Sequence, residues 1–195
     1  MRFNDRRGFT LIEVIVVAGI IAILAGIMVP MIFNQIDESR ITRAKAEVKS
    51  IQSAILAFRK DTGEWPQKDS SSTKAATVLY SAGIDPKGPA GNILVGWDLT
   101  NPILLDDLLV TNGPANAGWY TPGQTNTPGW KGPYGTGFTA DPWGNRYMIN
   151  IKQIGTSGAR IFIVSAGPDG NVDTELPLDM DVHGNDIGLI MTVEK

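Results

Sequence analysis

Twenty consecutive positions, residues 14–33, carry no ionisable side chain. At ~1.5 Å per residue a helix of about that length spans the apolar core of a bilayer, so the pattern predicts a membrane-crossing helix. One carboxylate, Glu13, stands at the head of the run. There it costs on the order of 2.5–3.5 kcal/mol on insertion scales, and it needs a partner or a shallow position. Farther along, Ile41, Ala44, Val48, Ile51, Ile55 and Phe58 recur at intervals of three and four, one apolar stripe on one helix. Arg40, Arg43, Lys45, Glu47 and Lys49 take its other faces, and Asp61-Thr62-Gly63 closes the pattern with a helix-stop signature. The two patterns predict one helix that is apolar in its first part and amphipathic in its second. The stripe is expected to bury against the chain's own sheet, because a small domain needs that cover.

Near the other end the period changes to two. Tyr147, Ile149 and Ile151 alternate with more polar neighbours, 155–158 reads as a turn, and 160–165 returns with Ile161, Ile163 and Val164. Residues 189–193 fit a further strand. Between helix and strands, residues 64–140 are rich in Gly, Pro, Ser, Thr and Asn yet contain Trp65, Trp97, Trp119 and Trp130, a composition for ordered irregular structure. Ser70-Ser71-Ser72 reads as an exposed turn, and the apolar stretch 103–110 fits either a helix or a buried strand. Its Asp106-Asp107 pair reads as a solvated face. Residues 135–140 fit G-x-G-x-x-A, but no apolar strand precedes them and Asp141-Pro142 follows, so the match is by chance. The expected fold class is α+β: a long N-terminal helix packed on a small C-terminal antiparallel sheet with long loops.

Composition narrows the chemistry. The chain has no cysteine, which removes disulfides, thiol catalysis and Cys-ligated metals. His183 is the only histidine, and neither a P-loop nor a G-x-S-x-G elbow occurs. A loop position suits His183, and no enzyme is expected. A secretory signal peptide would carry a shorter apolar core, a small-residue cleavage site after it and no acid at its head. Gly8-Phe9 lies on the wrong side of the apolar run for ordinary signal peptidase.

Arg6-Arg7-Gly8-Phe9-Thr10-Leu11-Ile12-Glu13 resembles, without a gap, the class III signal of type IV pilins and pseudopilins. The resemblance implies cleavage by prepilin peptidase between Gly8 and Phe9 on the cytoplasmic side, and N-methylation of the new Phe9 amine. It further implies that Glu13 meets the N-terminal amine of a neighbouring subunit, an ion pair suited to a low-dielectric medium. Pro30 falls where these families carry a helix-disrupting proline; with Gly19 and Gly26 it lowers helix propensity, and a plain kink near the membrane exit is the alternative. Arg2, Arg6 and Arg7 against Asp5 make the leader basic, which keeps the N-terminus cytoplasmic. Losing residues 1–8, with three arginines and one aspartate, takes the net charge from −3 to −5. No basic patch interleaved with aromatics appears, and nucleic acid is not an expected partner.

Three further segments occur in order: Trp130-Lys131-Gly132-Pro133-Tyr134, Asp141-Pro142-Trp143-Gly144-Asn145-Arg146-Tyr147, and Ser165-Ala166-Gly167-Pro168-Asp169-Gly170. With the late Asn185-Asp186-Ile187 they resemble motifs of the major pseudopilins of type II secretion. Residues 67–129 and 172–184 are longer than in that branch. Asp169, Asn171 and Asp173 place oxygen-bearing side chains at alternate positions in a Gly-containing loop, the start of many calcium loops. Calcium takes six to eight oxygens, so Asp186 and nearby backbone carbonyls are expected to complete the set. The resemblance implies calcium at Asp169 and Asp186, whereas Asn171 and Asp173 follow from spacing. Asp179 or Asp181 can replace either, and turn capping by Asp and Asn is the alternative.

The expected organisation is a leader at 1–8, a transmembrane assembly helix at 9–33, its amphipathic continuation at 34–62 and a globular periplasmic or extracellular domain at 63–195. The expected function is that of a structural subunit of a pseudopilus. It is held in the inner membrane before assembly, and its partners are copies of itself, prepilin peptidase, an inner-membrane assembly platform and minor pseudopilins. Two rivals remain open: a type IV pilin of a surface fibre, and a membrane-anchored module whose Trp-containing middle binds a ligand such as glycan.

Overall fold

The computed structural model describes residues 8–69, 76–88, 94, 96–124, 127–176 and 181–193. Arg6, Arg7, Ser70, Ser71, Ser72 and Asp179 lie outside the described residues. Helix α1 runs over Leu11–Thr62. It stops where the sequence places the stop: Gly63 adopts φ 72° and donates its N–H to the Arg59 carbonyl at 2.8 Å, a left-handed cap that a side chain resists.

The chain divides into residues 1–39 and 40–195. In the first unit every described residue is exposed, including the apolar positions from Phe9 to Ile36. This stretch is long and apolar enough to cross a membrane, and none of its most hydrophobic window is buried within the chain. Pro30 sits inside the helix, where it has no N–H to return to the Gly26 carbonyl.

In the second unit α1 buries Ala44, Val48, Ile51, Ala54, Ile55 and Phe58, which are the predicted stripe with Ala54 added and Ile41 left half-buried. The stripe packs on one face of a five-stranded sheet. Its strands are β1 (Val78–Tyr80), β2 (Pro102–Leu104), β3 (Tyr147–Asn150), β4 (Arg160–Ser165) and β5 (Ile187–Thr192), in spatial order β2-β1-β3-β4-β5. The sheet is mixed rather than antiparallel throughout. The pairs from β1 to β5 are antiparallel as expected, but β2 joins β1 in parallel, with Val78 opposite Pro102 and Tyr80 opposite Leu104. A long connection, not a hairpin, separates those two strands and allows the parallel pairing.

The apolar stretch 103–110 divides between the two expected forms: it enters as β2 and turns into the short helix α2 (Leu105–Leu109). Strand alternation sorts the sheet into two faces. Leu79, Ile103, Tyr147, Ile149, Ile161 and Ile163 meet α1, with Leu105, Leu108 and Leu109 in the same cluster. Val78, Met148, Phe162 and Val164 face the other way and are covered by Leu94, Trp97, Val172 and Leu176. The irregular middle of the chain thus supplies part of the second core layer. The 135–140 segment is a loop, as its failed motif implied.

Candidate functional site

Two places carry the chemistry that the sequence singles out. At the N-terminal one, Gly8 and Phe9 precede the helix, and the Phe9 side chain is 87% exposed. Thr10 caps α1. Its Oγ1 accepts the Glu13 N–H at 3.3 Å, while Glu13 Oε2 accepts the Thr10 N–H and the Thr10 hydroxyl, both at 3.1 Å. This reciprocal pairing is a capping box, in which two otherwise unpaired helix-start donors find acceptors. Glu13 therefore has a partner within its own chain, three residues away. The Thr-x-x-Glu spacing carried that signal in the sequence.

The second place lies between β4 and β5. β4 ends at Ser165, whose hydroxyl donates to Asp141 Oδ2 at 2.6 Å and whose Oγ accepts the Gly167 N–H at 3.1 Å. A single 3-10 turn, Gly167–Asp169, follows. Asp169 Oδ1 accepts the Asn171 N–H at 3.1 Å, and its Oδ2 accepts from Asn185 Nδ2 at 3.2 Å. Asp173 Oδ2 accepts the Asn185 N–H at 3.4 Å. Asp186 Oδ2 accepts three bonds: from the Asp173 N–H at 2.9 Å, the Thr174 N–H at 2.8 Å and the Thr174 hydroxyl at 2.6 Å. Two glycines permit this closeness. A Cβ on Gly167 would strike the Asn185 carbonyl, and one on Gly184 would strike the Asp173 carboxylate.

Asp169, Asp173 and Asp186 are thus brought together through Asn185, and Asn171 shares the loop. Among the described residues no three Asp, Glu or His side chains converge on one metal-sized point. Asp186 Oδ1, however, is buried and has no hydrogen-bond partner among the described residues. Burial pushes the Asp186 carboxyl up to about 6, against the bonds from Thr174 and Asp173 that favour its charged form. A buried, orphaned carboxylate oxygen beside further oxygen donors is the chemistry a hard cation takes. Asp181 is exposed and accepts the Val182 N–H at 2.8 Å, and His183 is an exposed loop residue whose N–H donates to Thr174 Oγ1 at 3.1 Å. Sequence reasoning passed over Thr174 and quoted Asn185 only as part of the Asn185-Asp186-Ile187 segment; these two residues organise the acids.

The acidic pair at 106–107 has a local task. Asp106 Oδ1 accepts the Phe138 N–H at 2.8 Å, and burial raises the Asp107 carboxyl, followed by the repulsion of Asp106.

Comparison with known proteins bears on both ends of the chain. Residues 3–29 match the family described as prokaryotic N-terminal methylation motif, and residues 116–183 match type II secretion system (T2SS), protein G. The type II secretion system core protein G of Pseudomonas aeruginosa is 30% identical over 135 residues, which cover 69% of this chain and 82% of that protein. The core protein G of Escherichia coli K12 is 26% identical over 90% of this chain and 91% of its own. The type IV major alpha-pilin of Moraxella bovis is 34% identical over 50% of this chain and 61% of its own. No solved structure matches significantly. With a methylation-motif helix, a pilin-like α+β domain and this similarity across most of its length, the chain belongs to the type II secretion core protein G family of pseudopilins, structural subunits rather than enzymes.

Proposed function

We propose that this chain is the major subunit of a type II secretion pseudopilus. It is stored as a single-pass inner-membrane protein with its N-terminus cytoplasmic, cut between Gly8 and Phe9 by prepilin peptidase and methylated on the Phe9 amine. After cleavage it assembles into a periplasmic filament with copies of itself, supported by an inner-membrane platform and minor pseudopilins. The observation that carries this reading is the exposed apolar first part of α1, which lies largely within the methylation-motif match, on a chain similar to core protein G over most of both lengths. An apolar surface that large needs lipid before assembly and neighbouring subunits after it.

Within that filament Glu13 pairs with the Phe9 amine of the next subunit, exchanging local donors for a full positive charge. Pro30 leaves the Gly26 carbonyl without its helical donor, which supports local loosening of α1 on packing. In the globular domain Asp169, Asn171, Asp173 and Asp186 hold calcium. Asp186 Oδ1 is the group that most needs it. A bound cation supplies charge neutralisation, while the loop residues themselves tie 169–174 to 185–186.

Intact mass of the chain purified from its native membrane, with and without active prepilin peptidase, tests the processing step. Loss of residues 1–8 and gain of one methyl group are expected. An intact Met1-starting, monomeric chain would overturn the filament reading in favour of an anchored binding module. The similarity to a Moraxella bovis type IV pilin supports a second reading, a surface fibre. Deleting the gene separates the two: lost enzyme secretion with unchanged surface pili supports the pseudopilus, and the reverse supports the pilus.

A further inference from the structure

The middle of the chain reaches the acidic loop at three described points. Lys87 forms an isolated parallel bridge with Asn171: its N–H donates to the Gly170 carbonyl at 3.1 Å, and its carbonyl accepts the Val172 N–H at 2.7 Å. Gly96, at φ 77°, lies so close to Leu176 that a Cβ would collide with the Leu176 carbonyl. Trp97, 6% exposed, donates its indole N–H to the Thr174 carbonyl at 3.0 Å. Thr174 is the residue that gives Asp186 two of its three hydrogen bonds. Leu94 and Trp97 also pack with Val172 and Leu176 in one apolar cluster.

These contacts bracket the loop from 170 to 176, the part of the candidate calcium site that no strand holds. A loop with few fixed backbone bonds must be ordered when an ion binds, and ordering costs affinity. Contacts that order it beforehand remove that cost. We infer that the middle segment, through Lys87, Gly96 and Trp97, is a brace that sets the shape of the 170–176 loop and so positions Thr174 and Asp186 for calcium. The inference rests on the calcium reading given above. Trp97 is a positioning residue in this scheme, since it touches the Thr174 backbone and not the ion.

The test uses the full chain in detergent micelles, titrated with calcium by calorimetry, with melting followed in calcium and in chelator. Trp97→Phe keeps a large aromatic ring and deletes the donor. Loss of one hydrogen bond of this kind is expected to weaken calcium about threefold to tenfold. It is also expected to shrink the calcium-dependent rise in Tm and speed amide exchange at Asp173 and Thr174 in chelator. Gly96→Ala, which forces the middle segment away from Leu176, is expected to act in the same direction. Ile55→Ala, a cavity in the other apolar layer, between α1 and the sheet, should lower Tm equally in calcium and chelator and leave affinity unchanged. Wild-type calcium heat with unchanged affinity in both Trp97→Phe and Gly96→Ala would overturn the brace and leave the calcium reading standing. No calcium heat from the wild-type chain would overturn the calcium reading and the brace together.

Discussion

Glu13 meets its own hydrogen-bonding needs within one turn of helix. In the single chain its carboxylate caps its own helix through Thr10, so the charge enters the membrane with its bonds made. Replacing it with alanine removes an acid that costs on the order of 2.5–3.5 kcal/mol to insert, and insertion should proceed. Glu13→Ala is therefore expected to be inserted and cleaved normally, by mass, yet to give no filaments by electron microscopy; normal filaments would contradict the assembly role. Two tyrosines act as residues of a different kind. Burial pushes the Tyr120 hydroxyl up to about 12 and also raises Tyr147, the latter aided by its 2.6 Å bond to Glu47. An acid with a raised folded pKa contributes fully below its unfolded value near 10 and loses that contribution as pH rises toward the folded value. Denaturation midpoints should thus fall steeply between about pH 10 and 12, with the tyrosinate absorbance of these two groups appearing only as the domain unfolds. The Thr-x-x-Glu cap lies within four letters of sequence, Thr10 to Glu13, and its spacing alone could have disclosed it. The Tyr147 to Glu47 bond was not legible, because nothing local links residues a hundred positions apart.

Among the elements, the second half of α1 carries the sharpest contrast of neighbours. Ile55 is fully buried against the sheet, whereas Leu56 beside it is 46% exposed. Ile55→Ala should cost about 2–5 kcal/mol of stability, and Leu56→Ala should stay within about 0.5 kcal/mol, read from denaturant unfolding of the unassembled protein. Equal losses would place the wrong face on the sheet. Periodicity made this stripe legible, and alternation made β3, β4 and the end of β5 legible, since each pattern repeats often enough to stand out. β1 has three residues, too few for a period, and could not be read; β2, equally short, appeared only as one of two forms open to 103–110, and the parallel pairing of the two was not legible. The stretch from 103 onward holds both a strand and a helix in one apolar run, and its ambiguity was physical.

As a whole molecule the chain separates its two solvents cleanly. Neither apolar core cluster contains a residue before Val48, and the exposed apolar run lies entirely before it. A chain of residues 40–195 should then be soluble without detergent and melt cooperatively at a Tm within a few degrees of the full-length protein. A molten or aggregated fragment would mean that the first unit contributes to the core. The acidic loop was half legible at this scale. The resemblance at Asp169 and Asp186 and the spacing of Asn171 and Asp173 named the candidate ligands, but only the fold shows that Thr174 and Asn185 bond the acids and that Trp97 bonds Thr174.

The order of the sheet gives the loop one more consequence. Among the described residues β5 is an edge strand, paired on one side only, with β4. Such a strand is the natural place for a sheet to peel. Asp169 stands just past the end of β4 and Asp186 immediately before β5, so the bonds that join 169–174 to 185–186 act as a clasp at the root of that strand. Opening β5 means opening the clasp. The lifetime of the C-terminal strand, and with it the resistance of the subunit to proteases, is consequently governed at a point outside the sheet.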